Sequence, residues 1–225
     1  MKILAVSDTE VSFLYSPVVA ERFADVDFII SCGDLPYYYL EFIVSMLNKP
    51  LYFVHGNHMN RVESSETEDR HAPWGAIPLH RRFRVAPGGL LLAGIGGSVQ
   101  YNFGPGQYSQ LDMWNLVFLM VPGLLINKAR YGRYMDIFVS HAPPRHVQDR
   151  EDLPHQGFDA FRWLLRVFRP QMHLHGHIHL YRQDAPVETL FEKTRVINAY
   201  GYRELQLSVP ERGARSLTEE VNDER

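Results

Sequence analysis

The sequence predicts a layered α/β fold, and three features carry that prediction. Short apolar runs recur along the chain, and helical patterns alternate with them in the first half. Chemistry-bearing side chains fall just past the ends of several runs. The runs are KILAV (2–6), VDFII (26–30), PLYFV (50–54), GLLLAGI (89–95) and DIFV (136–139), each suited to a buried strand. QMHLH (171–175) reads as a further strand, and TRVINAY (194–200) with RELQLSV (203–209) makes the later part strand-rich.

Between the early strands, PVVAERFA (17–24) and PYYYLEFIVSML (36–47) each open on a proline, whose fixed φ and missing N–H suit a first helical turn. Asn48, Lys49 and Pro50 end the second helix. GFDAFRWLLRVFR (157–169) places Phe158, Phe161, Leu164, Leu165 and Phe168 on one face, and Pro170 stops it. Residues 1–209 read as one domain with insertions near 59–81 and 98–131, followed by a polar tail at 210–225. The stretch 108–126 fits a core helix, a lid, or an interfacial or dimer-contact element, with Trp114 and Phe118 sharing a face.

The chain has 225 residues, 45% of them hydrophobic and 22% charged, enough for one full-sized core in a globular domain. A formal charge of −3 leaves no basic footprint for nucleic acid. The stretch from Leu111 to Ile126 is broken by Asp112, Asn115, Pro122 and Gly123, short of the roughly 20 apolar residues of a membrane span. The opening apolar run is too short for a signal-peptide core. The single cysteine, Cys32, excludes an intramolecular disulfide and lies in an apolar run as an inert buried thiol. The expected setting is cytoplasmic.

Set against those strands, the polar residues form a pattern. Asp8 follows KILAVS, with Glu10 two residues on; Asp34 follows VDFIISCG; Asn57 and His58 follow PLYFVHG; His141 follows DIFVS; His177 and His179 follow QMHLH. In open α/β sheets ligands bind at that edge. Carboxylates, an amide and imidazoles gathered on one rim are costly to keep together without a cation. The set exceeds the four to six ligands of one ion, and its mixed oxygen and nitrogen donors favour Mn²⁺, Fe or Zn²⁺ over Ca²⁺. A carboxylate can bridge two ions about 3.5–4 Å apart, and such a pair binds phosphate oxygens and acidifies a water between them.

The tract HLHGHIH (173–179) fits this scheme. On an extended segment His177 and His179 share a face toward the rim, with Gly176 allowing the turn, while His173 and His175 upstream read as structural. His155 lies before a helix, either at the pocket or outside it, and Tyr37, Tyr38 and Tyr39 read as helix surface and core. The glycines of AGIGGS (93–98) are not spaced as a dinucleotide fingerprint.

In order, the blocks are Asp8-Thr9-Glu10, Gly33-Asp34, Gly56-Asn57-His58-Met59, Ser140-His141-Ala142-Pro143-Pro144 and Gly176-His177-Ile178-His179. This series resembles that of the calcineurin-like metallophosphoesterases: D-x-H, G-D, G-N-H-(D/E), a lone His, then G-H-x-H. The resemblance implies a four-layer α/β/β/α sandwich of two mixed β-sheets flanked by helices. It implies two divalent metal ions, Mn first, with Fe, Zn or Mg as alternatives. Asp8 and His179 would hold the first ion, Asp34 would bridge, and Asn57, His141 and His177 would hold the second. His58 would contact the substrate phosphate and protonate the leaving oxygen, a role suited to an imidazole near neutral pH. The implied reaction is hydrolysis of a small phosphodiester or phosphomonoester by a hydroxide bridging the metals.

Three departures matter. Glu10 stands where the family's first-metal histidine does, which favours a harder ion such as Mn²⁺ or Mg²⁺, or weakens that site. Met59 replaces the acid after His58. The run after Asp34 is Leu-Pro-Tyr-Tyr-Tyr, without the G-D-x-x-D-R-G of protein serine/threonine phosphatases. Glu10 and Met59 also support an alternative, a catalytically weak or inactive relative that binds metal or a phosphorylated ligand as a sensor or scaffold. The sequence leaves substrate and oligomeric state open.

Overall fold

The computed structural model describes residues 1–58, 63–64, 69–102, 104–180 and 186–208. Met59 and the tail from 210 lie outside the described residues. The first part of the chain runs β1 (Lys2–Ser7), α1 (Val18–Arg22), β2 (Phe28–Ser31), α2 (Tyr37–Leu47), β3 (Leu51–Phe53), β4 (Glu63–Ser64), β5 (Asp69–Arg70), β6 (Ala76–Pro78), β7 (Arg82–Val85) and β8 (Leu91–Ile95). There follow β9 (Ser98–Val99), β10 (Gln107–Tyr108), α3 (Gln110–Tyr131), β11 (Ile137–Ser140), α4 (Asp159–Phe168), β12 (Met172–His175), β13 (Glu188–Phe191), β14 (Thr194–Asn198) and β15 (Gly201–Gln206).

Two large mixed sheets result. The first has the order β15-β1-β2-β3-β6, parallel except for β15. The second has the order β13-β14-β12-β11-β8-β7, with a parallel interior and antiparallel edges. The strand period of two sorts their residues into layers. Ile3, Ala5, Phe28 and Ile30 point between the sheets, where they meet Leu92, Ile137, Val139 and Leu174. Leu4, Val6, Ile29 and Phe53 point outward onto Val19 of α1, Phe23 at its end, and Leu40 and Ile43 of α2. On the far side, Ala93, Phe138 and Val196 meet α3 and α4 through Val117, Leu124, Phe161 and Leu164. These are the four layers expected. Burial on both faces is why the central strands read as unbroken apolar runs rather than alternating ones.

Pro17 and Pro36 sit one residue before the helices they introduce, as N-caps. Asn48 and Arg169 end α2 and α4 in the left-handed conformation, with φ of 49° and 48°. Part of 59–81 supplies β6, the edge of the first sheet. The stretch 108–126 belongs to the 22-residue α3, opened by a Ser109–Asp112 capping box and closed at Gly132. It is a layer helix. Met113, Val117, Met120 and Leu124 form its buried stripe, and the opposite face is exposed. By length and composition alone α3 could cross a bilayer, but that stripe is committed to the second sheet.

Candidate metal centre

Loops past β1, β2, β3, β11 and β12 bring the two sheets' rim residues together. Asp8, Asp34 and His177 all adopt left-handed backbone, with φ of 66°, 54° and 67°. For residues with a side chain that conformation costs about 1–2 kcal/mol each, and three such residues on one rim mark a site where geometry outranks stability. The turn toward the rim is therefore made at His177. The expectation of an extended segment turned at Gly176 is corrected on this point. Gly176 serves close approach instead: a Cβ there would lie 2.0 Å from Ser7 Oγ and 2.5 Å from Asp8 Oδ2. Gly56 has the same duty, since its Cβ would lie 2.0 Å from Asp34 Oδ1.

His141 is fully buried at the centre. Its Nδ1 lies 2.8 Å from the Cys32 carbonyl, which places an N–H there. Its Nε2 faces two acceptors, Asn57 Oδ1 at 3.0 Å and Asp34 Oδ2 at 3.1 Å. A single nitrogen cannot serve both, and Asp34 Oδ2 is left buried without a hydrogen-bond donor. The other Asp34 oxygen accepts from the His58 backbone N–H at 3.0 Å. His177 Nε2 lies 2.7 Å from the Pro154 carbonyl, which leaves Nδ1 as the lone-pair atom of that ring. Asp34, His141 and His177 each offer one ligand atom, all within 4.8 Å of one another.

The charges tell the same story. Burial disfavours protonation of His141, but the Asp34 and Asp8 carboxylates outweigh it and hold its pKa up at about 9. Burial raises Asp34, yet His141 pulls it well below the usual carboxylate range. Asp8 is raised, mainly by burial and further by Asp34, with His141 opposing. His177 is lowered to about 3 by burial and by the charge on His141. Without a cation, one proton on His141 must neutralise two buried carboxylates. A donor set of buried carboxylate oxygens and imidazole nitrogens, one oxygen lacking any donor, fits a divalent ion of the borderline class.

The remaining expected residues fall around this core. The Asp8 carboxylate accepts the His177 N–H at 2.9 and 3.0 Å. The His179 ring packs on Tyr200 with centroids 4.8 Å apart, and burial lowers its pKa against the pull of Asp8. Asn57 is buried and donates to the Tyr101 hydroxyl at 3.1 Å. The His58 side chain is exposed. Glu10 is exposed and accepts a 2.6 Å hydrogen bond from Tyr38, whose pKa is thereby pushed up to about 12. The structure thus brings Asp34, His141, His177 and Asn57 into one cluster with Asp8 against it, and holds Glu10 on Tyr38.

His155 reaches the site, its ring 5.3 Å from that of His177. Tyr101 and Arg150, which donates to the His179 carbonyl at 2.7 Å, escaped the sequence reading. Tyr101 lies beyond the end of β8, so the rim rule covers it, but a tyrosine is not a conspicuous metal-site residue. Tyr101→Phe should free the Asn57 amide to rotate and weaken metal binding about 10-fold, read by titration calorimetry with Mn²⁺.

His173 and His175 are the structural pair, fully buried in β12. Their Nε2 atoms lie 2.7 Å from Ser140 Oγ and 2.8 Å from Gln148 Oε1. Burial drives His173 well below its ordinary range and His175 to about 4. Below pH 6.5 the unfolded chain takes up protons that these two refuse when folded. Stability is complete above that pH and falls as pH drops, and the His175 loss ends near pH 4. From pH 6.5 to 5.0 each should cost about 2 kcal/mol in urea melts of metal-free protein, and His173→Asn should flatten the slope by one proton.

Three comparisons bear on this geometry. The model of the calcineurin-like phosphoesterase family matches residues 1–181. Among solved structures, TT1561 of Thermus thermophilus is 18% identical, with a TM-score of 0.60 over 89% of each chain. Another crystal structure is 14% identical with a TM-score of 0.60, covering 92% of this chain and 99% of its own. At those identities the likeness is one of fold. Comparison with curated proteins gives no match.

Proposed function

We propose, for a chain that belongs to the calcineurin-like phosphoesterase family, dinuclear metal-dependent hydrolysis of a small phosphoester. The observation that carries this reading is the donorless, buried Asp34 Oδ2 beside His141 and His177. Asp34 would bridge the two ions, with Asn57, His141 and His177 on one side and Asp8, His179 and Glu10 on the other. Two bound divalent ions would supply Lewis-acid neutralisation of phosphate oxygens and an acidified water.

The chain's own groups do the rest. The Cys32 carbonyl fixes the His141 tautomer, and the Pro154 carbonyl fixes that of His177. His58 has its backbone anchored to Asp34 and its ring exposed at the rim, where it would protonate the leaving oxygen. Asn57, held by Tyr101, would steady the phosphate oxygens as charge moves. The carboxylates of Asp8, Asp34 and Glu10 favour Mn²⁺ among the candidate ions. Buried Cys32, with no other cysteine in the chain, suits a cytoplasmic setting.

Metal-stripped protein refilled with Mn²⁺ should hydrolyse bis(p-nitrophenyl) phosphate or p-nitrophenyl phosphate, and the preferred reagent separates diesterase from monoesterase. Activity should drop at least 10²-fold in His58→Ala with two metals still bound per chain. One specific observation favours the second reading, a non-catalytic binder: Glu10 is hydrogen-bonded to Tyr38. One metal or none per chain, with no turnover of either reagent, would establish that reading instead.

A further inference from the structure

We propose that α3 is a dimerisation helix, pairing antiparallel with α3 of a second copy across a two-fold axis near residue 121. This rests on features remote from the metal centre and holds whatever the chain's chemistry. The buried stripe Met113, Val117, Met120 and Leu124 commits one face of α3 to the second sheet. Diametrically opposite, Leu111, Asn115, Phe118, Pro122, Leu125 and Ala129 recur at alternating spacings of four and three, the period of a coiled-coil seam. Leu119 and Ile126 widen that seam. The exposure is high: 70% for Leu111, 64% for Leu119 and Ile126, 53% for Leu125 and 51% for Phe118.

Those five side chains present on the order of 600 Å² of apolar surface, the upper end of what a soluble monomer leaves bare. With its polar rim the patch approaches the ~800 Å² that each partner gives to a standard interface.

Charge selects the occupant and its orientation. Asp112 and Arg130 are both exposed and are five helical turns apart, so they lie on the same edge of the outer face. An antiparallel two-fold pairing preserves that edge and sets Asp112 of each copy against Arg130 of the other. The same pairing opposes the two helix dipoles. A parallel pairing would instead leave each charge on the far edge of the seam from its own copy, with no opposite charge at its level. A membrane surface fits less well, since α3 carries no lysine or arginine between Asp112 and Lys128 and the chain as a whole is acidic.

The test uses the full chain with its metals. Light scattering after size exclusion should give twice the 26.1 kDa chain mass at micromolar concentration. Phe118→Glu combined with Leu125→Glu should halve that mass while circular dichroism and bound metal per chain stay unchanged. Should that variant misfold, single cysteines decide the matter, because Cys32 is buried and inert to mild oxidant. Pro122→Cys lies beside the axis and should cross-link to its own copy. Ala129→Cys should not, since the two copies of residue 129 would be about 24 Å apart along the helix. A monomer at all concentrations overturns the proposal, whether or not it floats with phosphatidylglycerol vesicles. So does a dimer that survives Phe118→Glu with Leu125→Glu, or cross-linking at both positions.

Discussion

Asp34→Asn should give a folded chain that binds at least 10²-fold less metal and hydrolyses phosphoesters about 10³-fold more slowly or worse. The substitution is isosteric, so the side-chain oxygen that accepts from His58 can remain in place. What it removes is the charge and the donorless oxygen on which the proposed bridge depends. Stability should change far less than activity. His141 owes its proton to Asp34 first and Asp8 second, so without Asp34 it can release that proton at neutral pH. The buried charge therefore disappears with its partner, and the cost in metal-free protein should stay below about 3 kcal/mol. Metal counting, urea melts and the two nitrophenyl assays on one preparation check all three expectations. A variant that retains two metals per chain would remove Asp34 from the bridging position.

The legibility of the fold followed burial. Strands β1, β2, β8 and β11 are covered on both faces, and their apolar runs were plain in the sequence. Of the edge strands of the two large sheets, β15 was read from RELQLSV and the other three were not. RFRV of β7, AIP of β6 and ETLF of β13 contain no fully buried residue, so no long run of apolar residues announces them. The role of helix α3 was left open for a different reason: Pro122 and Gly123 break the helical pattern, and apolar residues on both of its faces blur the period.

The site divides in the same way. Rim position and residue type sufficed to pick out Asp34, His141 and His177, because a carboxylate or imidazole past a strand end has few structural duties. The left-handed turns at Asp8, Asp34 and His177 were invisible, since aspartate and histidine are enriched at positive φ but adopt it in only a small minority of positions. A backbone carbonyl such as that of Pro154 has no sequence signature at all, although it fixes the tautomer of His177. Glu10 shows the limit of residue type: its chemistry suits a ligand, while a hydroxyl 28 residues away holds its carboxylate.

Gly56→Ala tests the geometry rather than the charge, and its effect should be as large. The added Cβ would sit 2.0 Å from Asp34 Oδ1 and 2.3 Å from Cγ, a separation no contact tolerates. Gly56 does not have positive φ, so alanine brings no backbone strain and the collision with the carboxylate is the whole perturbation. Asp34 cannot yield cheaply, being held by the His58 N–H on one side and His141 on the other. Relief by about 1 Å would exceed the ±0.2 Å that metal–ligand bonds allow. Metal affinity and hydrolysis should each fall at least 10²-fold, with a stability loss of about 1–3 kcal/mol from overpacking. Gly132→Ala supplies the comparison. Its φ of 75° makes alanine cost about 1 kcal/mol, but nothing lies within 4 Å of the new Cβ. Two glycine substitutions of similar cost to folding should thus differ by two orders of magnitude in metal binding. If Gly56→Ala binds metal as the parent does, the Asp34 carboxylate is not where the ions are held.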